Sequence, residues 1–304
     1  MPGELWARIE QSGHVRRLIE LARDEDLGEG ADADEVGDVT SAATIDPSAT
    51  CRGRVVLREA GVVAGLAAVP TVLEVFAPDV AIEMHMRDGD RGDAGTSLAT
   101  LVGPTRQVLA AERTMLNLVG RSCGIATRAA AFVAAAGAED TRGVGVYHTR
   151  KTTPGLRMLE IYAARCGGAR LHRAGLYDAV LVKDNHVAGV GDLAKRLGPA
   201  LAGVRDRHEL MFVEVEVDSL VQLRDVLSIP EGAIDIVLLD NMTTDQLREA
   251  VGVRDRTRPD VRLEASGGVT LDTSGAIAAA GVERISIGSI THGARALDVG
   301  LDFD

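Results

Sequence analysis

The chain has 304 residues, of which 46% are hydrophobic and 26% are charged, a composition typical of a globular protein and not of a disordered one. Its formal net charge of −12 argues against a dedicated nucleic-acid-binding protein, because affinity for a phosphate backbone requires a basic surface. Only three of the 33 basic residues are lysine, and these are Lys151, Lys183 and Lys195. A local basic pocket for a small anion is compatible with this composition.

The sequence contains no pattern typical of membrane insertion or export. The longest uncharged apolar run, residues 60–73, contains Pro70 and is shorter than the ~20 residues that span a bilayer. The first residues alternate charged and apolar side chains and lack the apolar core of a signal peptide. Cys51, Cys123 and Cys166 are far apart and lack metal-ligand spacing, which predicts free thiols. We therefore expect a soluble cytoplasmic protein.

The first half of the chain predicts a small sheet-containing domain. Residues 24–46 hold nine carboxylates and no basic residue, which indicates a solvated loop. Residues 51–103 contain short alternating runs, such as 81–86, that predict half-buried strands. Residues 107–137 have helical spacing of apolar side chains and predict one or two helices that join this half to the next.

Six apolar runs of strand length, each followed by a helical pattern, predict parallel β-α units in the second half. The runs occupy residues 144–147, 179–182, 211–217, 234–239, 261–265 and 284–287. This repetition favours a complete or incomplete α/β barrel, with a doubly wound open sheet as the alternative. Nucleotide-binding forms of that alternative are disfavoured, because the chain has neither a GxGxxG after a first strand nor a Walker-type GxxxxGKS/T.

Polar residues of three kinds follow these six strands, where the active sites of α/β barrels collect. The first two strands end in basic residues, the next two carry carboxylates, and the last two end in Gly/Ser turns. In chain order the residues concerned are His148, Thr149, Arg150, Lys151, Lys183, Asp184, Asn185, His186, Glu214, Glu216, Asp240, Asn241, Ser266, Gly267, Gly268, Gly288 and Ser289. This sorting predicts a functional site.

The basic residues form a local excess within an acidic chain. Between residues 148 and 186 lie seven Lys or Arg side chains against three Asp or Glu side chains. We expect Arg150, Lys151 and Lys183 to converge on a polyanion, because all three lie at strand ends. Arginine forks bind carboxylates and phosphates bidentately, and lysine acts as a movable point charge.

Glu214 and Glu216 point to the same face of the third strand, because side chains alternate along a strand. Carboxylates in a barrel interior need partners, either the basic residues or a metal ion. Glu216 and Asp240, on neighbouring strands, are candidates to hold a hard ion such as Mg²⁺ that bridges phosphate oxygens. A salt bridge to the lysines is the alternative.

The two Gly/Ser turns predict phosphate binding. Residues 266–268 open onto a predicted helix at 269–281, and residues 288–289 open onto one at 290–297. Backbone N–H groups at helix N-termini bind phosphate, and barrels often place this site after their last two strands. No Ser-His-Asp or Cys-His arrangement is evident in the sequence, so we expect catalysis by positioning and electrostatic stabilisation.

Longer motifs closely resemble the quinolinate phosphoribosyltransferase family, the carboxylating nicotinate-nucleotide pyrophosphorylases. In the second half they are HTRKTTPGLR at 148–157, HRAGLYD at 172–178, KDNH at 183–186, VEVEV at 213–217, LLDN at 238–241, EASGG at 264–268 and SIGSITH at 286–292. In the first half they are EDLG at 25–28, GDVTS at 37–41, EAGVVAG at 59–65, AERT at 111–114 and GIAT at 124–127. The likeness covers nearly the whole chain in order.

The resemblance implies transfer of phosphoribose from phosphoribosyl pyrophosphate to the ring nitrogen of quinolinate, with loss of the 2-carboxylate as CO2. The products are nicotinate mononucleotide and pyrophosphate, in a step of NAD biosynthesis. The implied fold is a small N-terminal α/β sandwich domain at 1–120 and an open α/β barrel catalytic domain at 121–289, with the tail at 290–304 packed back on the first domain. Mg²⁺ is the implied cofactor, and the implied assembly is a homodimer or a higher oligomer.

Family roles carry over position by position. The implied substrate-binding residues are Arg113, Thr149, Arg150, Lys151, His172, Arg173, Lys183, Glu216, Asp240, Ser266, Gly267, Gly268, Ile287, Gly288 and Ser289. The catalytic residues among them are Lys151, Lys183, Glu216 and Asp240, and the last two are the implied direct or indirect ligands of Mg²⁺. In the family, the residue that matches Arg113 reaches in from the neighbouring subunit.

Two other functions stay open from the sequence. A paralogue on the same scaffold, such as a ModD-like protein or a phosphoribosyltransferase that does not decarboxylate, predicts no release of CO2. A non-catalytic sensor of phosphorylated metabolites predicts tight binding without release of pyrophosphate, and it gives Glu216 and Asp240 no purpose.

Overall fold

The computed structural model describes residues 2–28, 37–137, 143–187, 193–205 and 207–304. The chain divides into two compact units that interleave along the sequence. Unit 1 consists of Met1–Ala130, Thr152–Gly168 and Ile290–Asp304, and unit 2 consists of Ala131–Lys151 and Ala169–Ser289.

In the second half of the chain, each strand except the last is followed by one or two helices. The helices are α1 (Pro2–Gln11), α2 (His14–Leu27), α3 (Val39–Thr44), α4 (Val69–Phe76), α5 (Thr105–Ala135), α6 (Arg157–Cys166), α7 (Asp184–Val187), α8 (Leu193–Arg205), α9 (Leu220–Leu227), α10 (Thr244–Thr257), α11 (Leu271–Ala278) and α12 (Ser289–His292). The strands are β1 (Thr50–Leu57), β2 (Gly61–Val62), β3 (Ala81–Met84), β4 (Arg91–Gly92), β5 (Ser97–Pro104), β6 (Gly145–Tyr147), β7 (Val180–Val182), β8 (Val213–Val217), β9 (Ile236–Asp240), β10 (Arg262–Ser266), β11 (Arg284–Ser286) and β12 (Val299–Phe303).

Unit 1 is built on a four-stranded antiparallel sheet with the strand order β12-β1-β5-β3. The last strand of the chain pairs with the first, and Val55 of β1 lies opposite Leu301 of β12. A β-bulge between Val55 and Val56 shifts the register against β5, which accounts for the consecutive buried residues at the end of β1. The predicted small domain with half-buried strands is therefore confirmed.

The predicted helical stretch at 107–137 is a single helix, α5, of 31 residues. Two glycines on this helix let the C-terminal segment approach closely. A Cβ added at Gly124 would lie 1.9 Å from the carbonyl oxygen of Arg295, and one at Gly120 would lie 2.7 Å from that of Leu297. Any larger side chain at these two positions would displace the segment.

The prediction of a loop over residues 24–46 is wrong at both ends of that segment. Helix α2 continues to Leu27, and α3 begins at Val39. The Asp38 carboxylate caps α3 by accepting hydrogen bonds from the backbone N–H groups of Thr40 and Ser41. One of the nine carboxylates therefore stabilises a helix and does not lie in a solvated loop. Residues 29–36 of the segment lie outside the described residues.

Unit 2 is built on a six-stranded parallel sheet with the strand order β6-β11-β10-β9-β8-β7. Strands β7 to β11 are each the neighbour of the next along the chain, as in an α/β barrel, whereas a doubly wound sheet reverses its order at a switch point. Strands β6 and β7 are the two edges, so the barrel is open. The predicted open α/β barrel is confirmed, and the six predicted strands agree with the observed ones to within two residues.

The helix predicted at 290–297 is wrong beyond its first turn. Helix α12 ends at His292 and is followed by Gly293. The Arg121 guanidinium donates to the carbonyl oxygens of Thr291 and Ala294 at 2.8 and 2.6 Å, and these bonds satisfy carbonyls that a longer helix would pair internally. A partner so distant in sequence leaves no local pattern to read.

Two smaller expectations concern cysteines and membranes. Cys51, Cys123 and Cys166 are all free, as predicted, and the last two are buried. Among the described residues, no helix combines the length and the apolar character that a membrane span requires.

Candidate active site

The predicted site residues of unit 2 lie at one edge of its sheet, since the carboxyl ends of parallel strands meet there. Asp240, which ends β9, lies directly opposite Ser266, which ends β10. Lys183 follows β7, whose neighbour β8 carries Glu216. The other predicted residues at this edge are Thr149, Arg150, Lys151, His172, Arg173, Gly267, Gly268, Ile287, Gly288 and Ser289. Arg113 lies on α5 in unit 1, where it exposes 70% of its side chain and has Glu112 4.0 Å away.

Two of the predicted cations crowd one another. Arg173 is buried, and its Nη1 donates to the carbonyl oxygen of Ala179 at 3.4 Å. Burial and repulsion from the Arg150 guanidinium lower the pKa of Arg173. A buried arginine next to a second guanidinium is costly in the free protein, and a bound anion would relieve that cost.

Lys183 is held between a carboxylate and a histidine. Its Nζ lies 2.7 Å from Oε2 of Glu216, which realises the salt bridge that the sequence offered as an alternative to a metal. Its backbone N–H donates to Nδ1 of His186 at 2.8 Å, and the backbone N–H of His186 donates to the Lys183 carbonyl at 2.8 Å. These bonds explain the spacing of KDNH, in which the histidine fixes the turn that carries the lysine.

Asp240 is oriented by a residue in an unusual conformation. Asn241 has φ 54°, and it donates from Nδ2 to Oδ2 of Asp240 at 2.7 Å. Its backbone N–H donates to the Ser266 carbonyl at 2.9 Å. Gly267 has φ 89°, and a Cβ there would lie 2.4 Å from Oδ1 of Asn241. The two turns therefore fit together only with glycine at 267.

Glu216 and Asp240 form a donor set that fits a hard divalent cation. Both supply carboxylate oxygens from neighbouring strands, and Mg²⁺ is commonly held by one or two carboxylates together with water and substrate phosphate. Lys183 binds Oε2 of Glu216, and Asn241 binds Oδ2 of Asp240, so each carboxylate is held through one oxygen.

A layer of buried charged residues lies beneath these side chains. His172 Nε2 lies 3.2 Å from Oε2 of Glu214 and 3.3 Å from Oε1 of Glu264, and all three side chains are buried. The Arg284 guanidinium donates from Nε to Oε2 of Glu264 and stacks 3.7 Å from the centroid of Tyr147. Glu214 obtains the partner predicted for the VEVEV motif. Glu264 and Arg284 were not predicted as part of the site, although a charged residue in each of two apolar strand runs is the signal for them.

The charges within this layer settle its protonation. Burial alone would raise the pKa of Glu264, but hydrogen bonds and charges from His172 and Arg284 lower it to about 2. Burial and the charge of Glu264 raise the pKa of Glu214. The two carboxylates favour the imidazolium of His172, whereas burial and the Arg173 backbone N–H that donates to Nδ1 favour the neutral ring, which donates from Nε2. Among the described residues, His172, Glu214 and Glu264 lie close enough together to bind a metal ion. Glu264 already accepts a hydrogen bond from Arg284, which argues against a metal there.

His148 supports the same layer as a neutral side chain. Burial lowers the pKa of His148 to about 4. Its Nε2 accepts the backbone N–H of His172 at 3.1 Å, and its Nδ1 lies 3.3 Å from the carbonyl oxygen of Thr149. The ring therefore donates from Nδ1 and accepts at Nε2.

Two predicted substrate-binding side chains already have a role within the protein. Thr149 Oγ1 accepts the backbone N–H of Lys151 at 3.1 Å and so shapes the turn after β6. Ile287 exposes 1% of its surface, and its backbone N–H donates to the Tyr147 carbonyl at 3.0 Å. Helix α11 begins at Leu271 with a Thr270 cap, so residues 266–268 form a separate turn before the helix.

Comparison with known proteins covers almost the whole chain. The family model described as the quinolinate phosphoribosyl transferase C-terminal domain matches residues 125–302, and the model of the N-terminal domain matches residues 38–123. The chain is similar to the carboxylating nicotinate-nucleotide pyrophosphorylase of Mycobacterium leprae (strain TN), with 42% identity over 95% of this chain and 96% of that protein. It is 36% identical to a probable enzyme of the same name from Bacillus subtilis (strain 168), over 95% and 93% of the two chains. A solved structure of the nicotinate-nucleotide pyrophosphorylase from Francisella tularensis matches with a TM-score of 0.82 and 30% identity, over 96% of each chain.

Proposed function

The chain belongs to the quinolinate phosphoribosyltransferase family, and on this premise we propose how its own residues perform the family reaction. The enzyme transfers phosphoribose from phosphoribosyl pyrophosphate to the ring nitrogen of quinolinate and releases the 2-carboxylate as CO2. The products are nicotinate mononucleotide and pyrophosphate. We place the activity in the cytoplasm, which the three free thiols support.

Quinolinate binding is assigned to the basic strand ends of unit 2. The observation that carries this assignment is that the buried Arg173 lies in the same segment as His172 at the strand ends, where repulsion from the Arg150 guanidinium would be relieved by a bound dianion. Lys151 follows β6 and Lys183 follows β7, so both lie at the C-terminal ends of the strands, and both are exposed. Guanidinium forks bind the two adjacent carboxylates bidentately, and the ammonium groups add charge without fixing orientation.

Phosphoribosyl pyrophosphate is assigned to the opposite side of this edge. The turn at 266–268 supports this assignment, because Gly267 and Gly268 lack a Cβ that would keep a phosphate away from their backbone N–H groups. The turn at 287–289 is assigned to phosphate from the family resemblance, although the Ile287 N–H already donates to the Tyr147 carbonyl. Glu216 and Asp240 would hold Mg²⁺, which supplies charge neutralisation for the departing pyrophosphate when bound. The turn built by Asn241 sets the orientation of Asp240 before the substrate arrives.

The chemistry then follows from position and charge. The quinolinate nitrogen attacks the anomeric carbon as the bond from that carbon to pyrophosphate breaks, through an oxocarbenium-like transition state. The nitrogen becomes cationic, and the bond from C2 to its carboxylate breaks with the electron pair left on C2. The ring cation and the nearby lysines stabilise that pair until C2 takes up a proton.

The activity itself is tested by incubating the protein with quinolinate, phosphoribosyl pyrophosphate and Mg²⁺. We expect nicotinate mononucleotide by mass spectrometry, together with equal amounts of CO2 and pyrophosphate. A mononucleotide that retains both carboxylates would indicate a transferase that does not decarboxylate, and tight binding without pyrophosphate would indicate a sensor. The lysine assignment fails if Lys151→Ala keeps near-normal kcat/KM for quinolinate.

We propose a homodimer in which Arg113 completes the site of the partner. Its exposed guanidinium on α5 supports this, as do the large apolar side chains of Leu176 and Tyr177, which are 72% and 79% exposed in the loop after Arg173. Mixing inactive Arg113→Ala and Lys151→Ala proteins should restore activity, because a mixed dimer carries both defects in one site and none in the other. A mixture that stays inactive while mixed dimers form would contradict the shared site.

A further inference from the structure

The opening in the barrel is bridged by a short segment that belongs to no strand. Strands β6 and β7 are the edges of the six-stranded sheet, and the segment 169–173 pairs with β6 at Arg170. Tyr147 and Arg170 form an isolated parallel bridge, and the Arg170 backbone N–H donates to the Val146 carbonyl at 2.7 Å. The segment therefore takes the place that the next strand has in a closed barrel.

His172 ties this segment to the interior. Its backbone N–H donates to Nε2 of His148 at 3.1 Å, and its Nδ1 accepts the backbone N–H of Arg173 at 2.8 Å. Its Nε2 faces Glu214 and Glu264, as described above, and the ring is 7% exposed. Both ring nitrogens thus face groups of the protein, so the ring fixes the position of the backbone that carries Arg173.

The carboxylates under His172 are themselves anchored. Glu264 lies on β10 and binds Arg284 of β11, whose guanidinium stacks on Tyr147 of β6. Barrel interiors are usually filled by layers of branched apolar side chains, and charged groups there cost free energy unless paired. Well-packed Val or Leu side chains often stabilise a protein interior as much as a buried ion pair does. The presence of charged residues directly below the ligand-binding residues therefore points to a role in the site.

We propose that Glu264 is a positioning residue for quinolinate binding, because through His172 it fixes Arg173 in the opening between β6 and β7. Arg284 serves the same role by holding the Glu264 carboxylate. The inference rests on the proposed function, since it presumes that Arg173 binds quinolinate. Loss of the network would let the segment 169–173 shift and would weaken quinolinate binding more than phosphoribosyl pyrophosphate binding.

Glu264→Gln tests this, because it removes the charge and keeps the shape of the side chain. We expect the KM for quinolinate to rise about tenfold or more, with the KM for phosphoribosyl pyrophosphate within about threefold of wild type. Glu264→Asp keeps the charge and should recover most of the quinolinate affinity. The matched control is Glu283→Gln, which breaks the ion pair with Arg254 (2.7 Å). Glu283 directly precedes β11 and so lies at the end of the sheet away from the proposed site. It should lower Tm without changing either KM.

The outcomes separate the inference from the function. Wild-type turnover to nicotinate mononucleotide establishes the function first, whatever the variant does. A folded Glu264→Gln protein with an unchanged KM for quinolinate, or with both KM values raised alike, would overturn the positioning role. If Glu264→Gln does not fold, Glu214→Gln, which removes the other carboxylate facing His172, takes its place under the same criterion. If neither variant folds, the layer is structural and the proposal is wrong.

Discussion

The two ends of the parallel sheet in unit 2 use their charges differently. Directly before β11, Glu283 accepts two hydrogen bonds from Arg254, from Nη1 at 3.0 Å and from Nη2 at 2.7 Å. The carboxylate therefore neutralises the guanidinium charge. At the other end, Arg173 donates to a carbonyl oxygen, and burial together with the like charge of Arg150 outweighs the charge of nearby carboxylates and lowers its pKa. The first pair joins opposite charges, whereas the second brings two like charges together, with the carboxylates of Glu214, Asp178 and Glu216 offsetting part of the repulsion.

This difference separates stability from function within one barrel. Ion pairs at the N-terminal ends of the strands hold helices to the sheet and need nothing more. At the C-terminal ends, the like charges of Arg150 and Arg173 repel one another in the free protein, and perturbed charged groups of this kind are typical of a functional site. The comparison therefore predicts that substitutions at the two ends will affect different properties.

The largest effect is expected from the lysines at the C-terminal ends. Lys151→Arg and Lys183→Arg should each lower kcat/KM by about 100-fold, or about 3 kcal/mol, because a planar guanidinium does not replace a compact ammonium. Lys195→Arg, on α8, is the matched control and should leave kcat/KM unchanged. Equal activity of all three variants in a steady-state assay would remove the special role of the two strand-end lysines.

His148 lies at the C-terminal end of β6 but stabilises the fold, since its ring accepts the backbone N–H of His172. Burial lowers the pKa of His148 from 6.5 to about 4. Between pH 6.5 and about 4, this residue is therefore protonated in the unfolded chain but neutral in the folded protein. The free energy of unfolding should therefore fall by about 3 kcal/mol as the pH drops through this window.

Urea unfolding at several pH values measures this dependence. His148→Gln keeps a donor and an acceptor but does not titrate, so the slope between pH 6.5 and 4.5 should flatten. Glu264, with a pKa of about 2, contributes only below its ordinary value of 4.5, outside this window. An unchanged slope in the variant would show that other groups cause the loss of stability.

A smaller effect distinguishes two glycines with positive φ. Gly267→Ala should cost about 2 kcal/mol of stability and also raise the KM for phosphoribosyl pyrophosphate, since its Cβ would push Asn241 away. Gly232 has φ 81° but open space around its Cβ position, so Gly232→Ala should cost about 1 kcal/mol and leave kinetics unchanged. Thermal unfolding and steady-state kinetics on both variants check this, and a kinetic defect in Gly232→Ala would be unexpected.

The strand ends could be predicted from the sequence because local patterns determine them. Alternation of apolar runs with helical spacing located β6 to β11, and the parallel arrangement then brought Arg150, Lys183 and Asp240 to one edge. The motif resemblance supplied roles for these residues that spacing alone left open.

The supporting contacts could not be predicted, because each joins residues that are distant in sequence. Arg284 reaches Glu264 across 20 positions, and Arg121 ends α12 from 173 positions away. The left-handed conformation of Asn241 depends on the turn at Gly267, which only the folded sheet brings beside it. Tertiary partners of this kind leave no periodicity in the chain.

The most direct test pairs Arg173→Met with Arg254→Met and measures both kcat/KM for quinolinate and the free energy of unfolding. Arg173→Met should lower kcat/KM by about 1,000-fold while the free energy of unfolding changes by less than about 1 kcal/mol, because the repulsion from Arg150 is relieved. Arg254→Met should lower the free energy of unfolding by about 2 kcal/mol and leave kcat/KM within about twofold. If Arg173→Met unfolds the protein while Arg254→Met abolishes turnover, the division of roles between the two ends of the sheet is wrong.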